Sequence, residues 1–295
     1  MSKIVWLVTI LIFVPTDFVF AQSSRPKAIR LQEYKRIDQP ARNEVSGMVK
    51  SRTFDDTFWV HGDSGTKDRI FAIDFEGRIK SDDDDYEGAK LLGVDNEDWE
   101  DIAFFDDSTL IVADVGNNCH CREDLKLLLI KEPDPNDPEV SVRESYWIQY
   151  PKRTGLLGLF IEDNYNSEAV FTLDGQIHLI QKNEGGGEAG IFVLENPSID
   201  SVNILTKVGS FPFRGQVTAA DISEDESMLA VLTYRSVWLF KLSEKNLFEG
   251  DIFWVPIRGV EQVESIAFSG NSLIIAEENG DLYELPISDI PEYKN

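Results

Sequence analysis

The chain has 295 residues, with 53 acidic against 28 basic side chains and a formal net charge of −25. At 42 % hydrophobic and 11 % aromatic it can bury a sizeable core, which excludes wholesale disorder. The acidity excludes nucleic acid and anionic membrane surfaces as partners, because both need clustered Lys and Arg, and leaves cations and basic partners.

The chain opens with Met-Ser-Lys, an apolar run from Ile4 to Val14, then Val19, Ala21 and Gln22. A positive start, an apolar stretch and a small residue before a polar one form a secretory signal pattern, here 1–21. Pro15 and Asp17 interrupt the run, and no other stretch approaches the ~18 apolar residues of a membrane span. The expectation is a secreted or periplasmic chain with no stable membrane span, in which 22–295 form a single domain. The run Ala28–Ile37 follows and has strand character of its own.

Beyond it the sequence repeats. Ser46-Gly-Met-Val49, Glu100-Asp-Ile-Ala-Phe104, Glu168-Ala-Val-Phe171, Ala220-Asp-Ile-Ser223 and Glu264-Ser-Ile-Ala-Phe268 share one pattern. Each leads through a polar turn to a second apolar run: Phe58–His61, Leu110–Ala113, Gln176–Ile180, Met228–Leu232 and Leu273–Ala276. A third run follows each, at Ile70–Ile73, Leu127–Ile130, Ile191–Leu194, Val237–Phe240 and Leu282–Leu285. Asp-Gly at 174–175 and Gly-Asn at 270–271 favour tight reversals between antiparallel strands. Weaker fourth strands are expected at Ala89–Val94, Tyr146–Tyr150, Val202–Val208 and Ile252–Ile257. The repeats start at 46, 100, 168, 220 and 264. A four-stranded antiparallel unit recurring at this spacing predicts an all-β β-propeller, with five blades and six as the alternative. The fifth repeat lacks a fourth strand, so Ala28–Ile37 is expected to supply it and close the ring, removing an open edge.

In such a ring the starts of first strands and the ends of second strands meet on one face. That face collects Glu44, Asp98, Glu100, Asp101, Glu168, Asp221 and Glu264 with His61, Asp63, Asp114, Asn117, Asn118, Lys182, Tyr234, Arg235, Glu277 and Glu278. Bare carboxylates converging on a channel repel, and a cation relieves them. Carboxylates and amides are ligands that Ca²⁺ takes. The candidate metal ligands are Glu44, Asp63, Glu100, Asp114, Glu168, Asp221, Glu264 and Glu277. A ligand face is expected at His61, Asn117, Asn118, Tyr234 and Arg235. The competing expectation is that these acids are solvated or pair with Lys182, Arg235 and backbone amides.

Other motifs are plainer. His61-Gly-Asp-Ser-Gly65 lacks the nucleophile elbow Gly-x-Ser-x-Gly and reads as a turn. The glycine-rich stretch 183–188 has no Lys-Ser/Thr after it and reads as a hairpin loop. Cys119-His120-Cys121 holds the only cysteines. A disulfide or an inert pair is expected over a metal site, which needs wider spacing and a fourth ligand.

Glu44-Val-Ser-Gly-Met, Phe58-Trp-Val-His-Gly-Asp-Ser-Gly65, Asp98-Trp-Glu-Asp-Ile-Ala103, Val112-Ala-Asp-Val-Gly-Asn-Asn118 and Val263-Glu-Ser-Ile-Ala267 resemble secreted bacterial β-propellers. The pattern is similar to the SdiA-regulated five-bladed propellers. It is more distantly similar to phytase-related esterase-like and gluconolactonase-type propellers. The resemblance points to Glu44, Asp63, Glu100, Asp114, Glu168 and Glu264 as site positions. The fourth repeat departs from it at Ala220.

Two functions compete. One is an exported, monomeric propeller that binds a small molecule or protein at the channel face, with a structural Ca²⁺. The other is a metal-dependent hydrolase of an ester, lactone or phosphoester. There the cation polarises the substrate, Glu168 acts as base and Lys182 steadies the developing anion.

Overall fold

The β-branched and aromatic runs become strands, and their alternation decides which core each side chain joins. The computed structural model describes residues 26–154, 160–161, 165–242 and 247–294. The expected signal peptide lies outside them. Among the described residues there is one 3-10 turn, at Ile287–Asp289, no α-helix, and no helix long and apolar enough to cross a membrane.

The described chain enters through β1 (Ile29–Arg30) and β2 (Glu33–Arg36). A four-stranded antiparallel meander follows: β3 (Val45–Lys50), β4 (Phe58–Gly62), β5 (Arg69–Ile73) and β6 (Ala89–Leu92). The second meander is β7 (Trp99–Phe104), β8 (Thr109–Asp114), β9 (Lys126–Lys131) and β10 (Glu139–Gln149). A hairpin, β11 (Arg153–Thr154) and β12 (Phe160–Ile161), precedes the third unit, β13 (Ser167–Leu173), β14 (Gln176–Gln181) and β15 (Ala189–Leu194). Short β16 (Asn203–Ile204) pairs with β10, and β17 (Thr206–Phe211) completes the third unit. The fourth is β18 (Val217–Ile222), β19 (Met228–Thr233), β20 (Ser236–Lys241) and β21 (Ile252–Arg258). The last is β22 (Val263–Ser269), β23 (Ser272–Glu277) and β24 (Asp281–Pro286), and β2 supplies its fourth strand, Lys35 opposite Leu282.

The units pack face to face around a ring, and the apolar cores lie in the clefts between them. Ile102, Phe104, Leu110 and Val112 point to the first unit and meet Trp59 and Ile70. Their strand neighbours Ala103, Ile111 and Ala113 point the other way, to Val170, Leu179 and Phe192 of the third. This is the two-residue period of a strand with both faces buried. The third and fourth units share Phe171, Val231 and Trp238, and the fourth and fifth share Leu232, Ile266 and Ile275. The circle closes where Ala267, Ile274 and Leu282 of the last unit meet Val45, Phe58 and Val60 of the first, with Ile37 of the entering chain. The fold is a β-propeller.

Some edges differ from the sequence reading. β10 begins at Glu139, ahead of the expected Tyr146, because Glu139–Ser141 pair in parallel with β6 across two units. The fourth strand of the third unit is Thr206–Phe211, later than expected, because Asn203 and Ile204 are drawn to β10.

Ile37 is 1 % exposed and seals the closing core. Ile37→Ala should cost ~2–5 kcal/mol in urea unfolding. Ile199→Ala, at a 59 % exposed position, should stay within ~0.5 kcal/mol of the parent.

Candidate cation site at the channel mouth

The inner strands β3, β7, β13, β18 and β22 carry the same irregularity at the same place. Pairing with the second strand skips one residue: Ser46, Glu100, Glu168, Thr218 and Glu264 respectively. A β-bulge of this kind leaves the extra residue outside the ladder and re-aims its side chain. Three of the bulged residues are glutamates, and they are the ones that start repeats two, three and five.

The bulge also corrects the fourth repeat. Its second residue is Thr218, not Ala220, so Asp221 lies level with Ala103 rather than Asp101. The Asp-Ile pairs at 101–102 and 221–222 therefore stand two residues apart along their strands.

Asp63, in the turn after β4, and Asp98, just before β7, meet Glu100. Ligand oxygens of the three lie within 4.8 Å of one another. Glu100 is 3 % exposed, and its Oε1 has no hydrogen-bond partner among the described residues. Gly116 makes the approach possible: a Cβ there would stand 2.1 Å from Glu100 Oε1 and 2.4 Å from Asp98 Oδ2.

Burial and mutual repulsion keep these acids protonated to unusual pH. Burial, then the Asp63 charge, pushes Asp98 up to about 7. Burial, with Glu168 and Asp63 nearby, pushes Glu100 well above the usual carboxylate range. Glu264 is pushed to about 8 by burial and by Glu278. Glu278 rises to about 7 through a hydrogen bond with Glu44 and burial.

Lys182 stands among them. Its Nζ donates to Glu168 Oε1 at 2.8 Å, and Asn166 Nδ2 donates to the same oxygen at 3.0 Å. Burial works against the ammonium, but the Glu168 charge outweighs it and raises the Lys182 pKa. Burial raises the Glu168 carboxyl, against the pull of Lys182. The ammonium also lies 5.9 Å from the Tyr234 ring centre, and Tyr234 OH donates to Glu264 Oε1 at 3.2 Å. The mouth therefore gathers Glu44, Asp63, Glu100, Glu168, Lys182, Tyr234 and Glu264 of the expected residues. Asp98 completes the tightest group, although the expected ligand set omits it.

The remaining candidates are occupied elsewhere. Asp114, fully buried, pairs with Arg122 at 2.8 Å and Lys126 at 3.1 Å. Asp221 lines a cavity of about 830 Å³ at the opposite ends of the inner strands and accepts the Phe268 N–H at 2.8 Å. Glu277 accepts the Glu261 N–H at 2.6 Å and Asn279 Nδ2 at 3.1 Å, beside Tyr283. His61 is buried edge-on against Trp99, and burial lowers its pKa. Arg235 donates to the Val260 carbonyl at 2.8 Å. Asn117 and Asn118 bind Asn166: the Asn117 N–H reaches its Oδ1 at 2.8 Å, and its Nδ2 reaches Asn118 Oδ1 at 3.1 Å. Asp101 accepts the N–H groups of Val170 at 2.9 Å and Ala220 at 3.3 Å, tying three inner strands together. Arg122, Lys126 and Asn166 escape sequence reasoning, since no motif marks them, and Gly116 stands in a quoted motif with no site role read from it.

No protein-family model matches the chain, and no curated protein does. Solved structures resemble it in part. A chain of a nidogen/laminin complex matches with TM-score 0.48 and 12 % identity, covering 86 % of this chain and 80 % of its own. Glutaminyl cyclase of Myxococcus xanthus matches with TM-score 0.48 and 9 % identity, over 91 % of this chain and 100 % of its own. A chain of a mitotic checkpoint complex reaches TM-score 0.38 at 12 % identity, over 81 % and 63 %. Likenesses this distant assign no activity, and the fold rests on the strand pairing itself.

Two outcomes are expected. Asp98, Glu264 and Glu278 hold protons in the folded, metal-free chain that they lose near pH 4 once unfolded. Their contribution to stability is therefore complete below about pH 4 and declines as pH rises toward 8. Unfolding midpoints in EDTA should report a matching decline across that window, smaller in Glu264→Gln. Gly116→Ala drives a methyl into Glu100 and Asp98, and should cost ~1–3 kcal/mol in the same assay.

Proposed function

We propose that this chain is an exported propeller that binds a divalent cation, Ca²⁺ by its chemistry, at the channel mouth, and presents it there to a ligand or partner. The supporting observation is the meeting of Asp63, Asp98 and Glu100 around an orphaned, buried Glu100 oxygen. Ca²⁺ binds oxygens at 2.3–2.6 Å, so two ligands of one ion stand no more than about 5 Å apart, which suits this cluster. A cation placed there would let Asp98 and Glu100 ionise and would offset the repulsion among the mouth acids. Export rests on the N-terminal pattern, and kinship with SdiA-regulated propellers rests on the motifs quoted above.

The pairing of Glu168 with Lys182 beside the cluster favours one second reading, metal-dependent hydrolysis of an ester, lactone or phosphoester. Glu168 would serve as base only in its ionised form, which Lys182 supports and burial opposes.

Thermal unfolding of the chain from Gln22 in EDTA, then in Ca²⁺ or Mg²⁺, tests the first reading. Ca²⁺ at a hundred times its Kd should add about 2.7 kcal/mol. The gain should grow from pH 5 to pH 8, because protons compete for the same oxygens, and Glu100→Gln should lose most of it. An unchanged midpoint in both metals would overturn the proposal. Ca²⁺-dependent turnover of ester, lactone or phosphoester probes, lost in Glu168→Gln, would favour the hydrolase instead.

A further inference from the structure

Cys119 and Cys121 form a disulfide across a sequence separation of 2, and both residues are exposed. A disulfide stabilises mainly by restricting the unfolded chain, and the gain grows with the loop it closes. A loop this short gains least, so the bond does little as a staple for a ring whose cores lie elsewhere. Its loop, moreover, is fastened without it. Asn117 Oδ1 accepts the N–H groups of Cys121 and Arg122, each at 2.9 Å, and Asn117 Nδ2 donates to the Tyr165 carbonyl at 3.0 Å. Arg122 holds Asp114 and the Gly116 carbonyl, each at 2.8 Å. Cys119 Sγ lies 3.8 Å from Asn117 Oδ1, where a Cys119 thiol would find an acceptor. The loop can therefore keep its place with the sulfurs reduced, and the disulfide is an exposed, dispensable bond of the kind that exchanges readily.

We propose that Cys119–Cys121 is an exchange-active disulfide that oxidises external low-molecular-weight thiols. An external thiolate attacks one sulfur, forming a mixed disulfide as the Cys119–Cys121 bond breaks and releases the other cysteine as a thiolate. A second external thiolate attacks the external sulfur of the mixed disulfide, giving an external disulfide and freeing the second cysteine. Two electrons pass from the two external thiols to the protein, and the two protons those thiols lose end on Cys119 and Cys121. The step needs no cation and is independent of the mouth cluster.

The test uses the folded chain from Gln22 in EDTA, equilibrated with reduced and oxidised glutathione at neutral pH, quenched with acid, alkylated and weighed by mass spectrometry. Millimolar reduced glutathione is expected to open the disulfide in most molecules, with far-UV circular dichroism and the unfolding midpoint in place. Cys121→Ser is expected to trap one glutathione on Cys119. A disulfide that survives excess reduced glutathione until denaturant is added would overturn the proposal. So would reduction that unfolds the chain.

Discussion

A bulge at the second position of every inner strand decides what this ring presents at its mouth. Regular pairing would bury the residue after the strand start in one of the clefts between units. The bulge takes Ser46, Glu100, Glu168, Thr218 and Glu264 out of the ladder instead. The backbone is thus repeated while the side chains are free to differ, and this chain spends three of the five positions on glutamate. Asp63 and Asp98 join from the turns on either side, and Gly116 leaves the space they need.

The buried acids divide into two sets by the partners they find. Asp114 has two cations, and Asp101 and Asp221 have backbone N–H groups of neighbouring inner strands. These acids hold the ring together from inside, as hydrogen-bonded staples between units. The mouth set has Lys182 and little else, and burial shifts its carboxyls toward the neutral form, as it also shifts Asp101 and Asp221. An acid without a cationic or backbone partner differs in consequence from one already paired: only the mouth set leaves chemistry open.

Period and turn chemistry make the ring legible in the sequence. The five apolar triplets and the leftover N-terminal run reappear as strands, the Asp-Gly and Gly-Asn pairs as the turns between them, and β2 does pair with β24. The mouth is partly legible too, because Glu100, Glu168 and Glu264 occupy matching places in their repeats. What fails is what depends on distance through space. Asp221 shares its Asp-Ile pair with Asp101, yet it sits two residues further along its strand and faces the far opening. Asp114 and Glu277 end second strands as expected, but Arg122 and Lys126 claim the first, and the Glu261 N–H ahead of β22 and Asn279 in the turn after β23 claim the second. Trp147, an aromatic within β10, is 42 % exposed, with the Lys126 ammonium 5.7 Å from its ring centre. Bulges leave no composition of their own, so the register that separates Thr218 from Ala220 is invisible before the strands are paired.

The clasp between β2 and β24 sets an order of events. Lys35 finds its partner only at Leu282, nearly the whole chain later. β2 is made early and finds its place only when β24 exists, and until then the edge of β24 and the cleft around Ile37 stay open. A chain built this way cannot complete its ring in pieces, so it stays unclosed while its C-terminal part is still emerging.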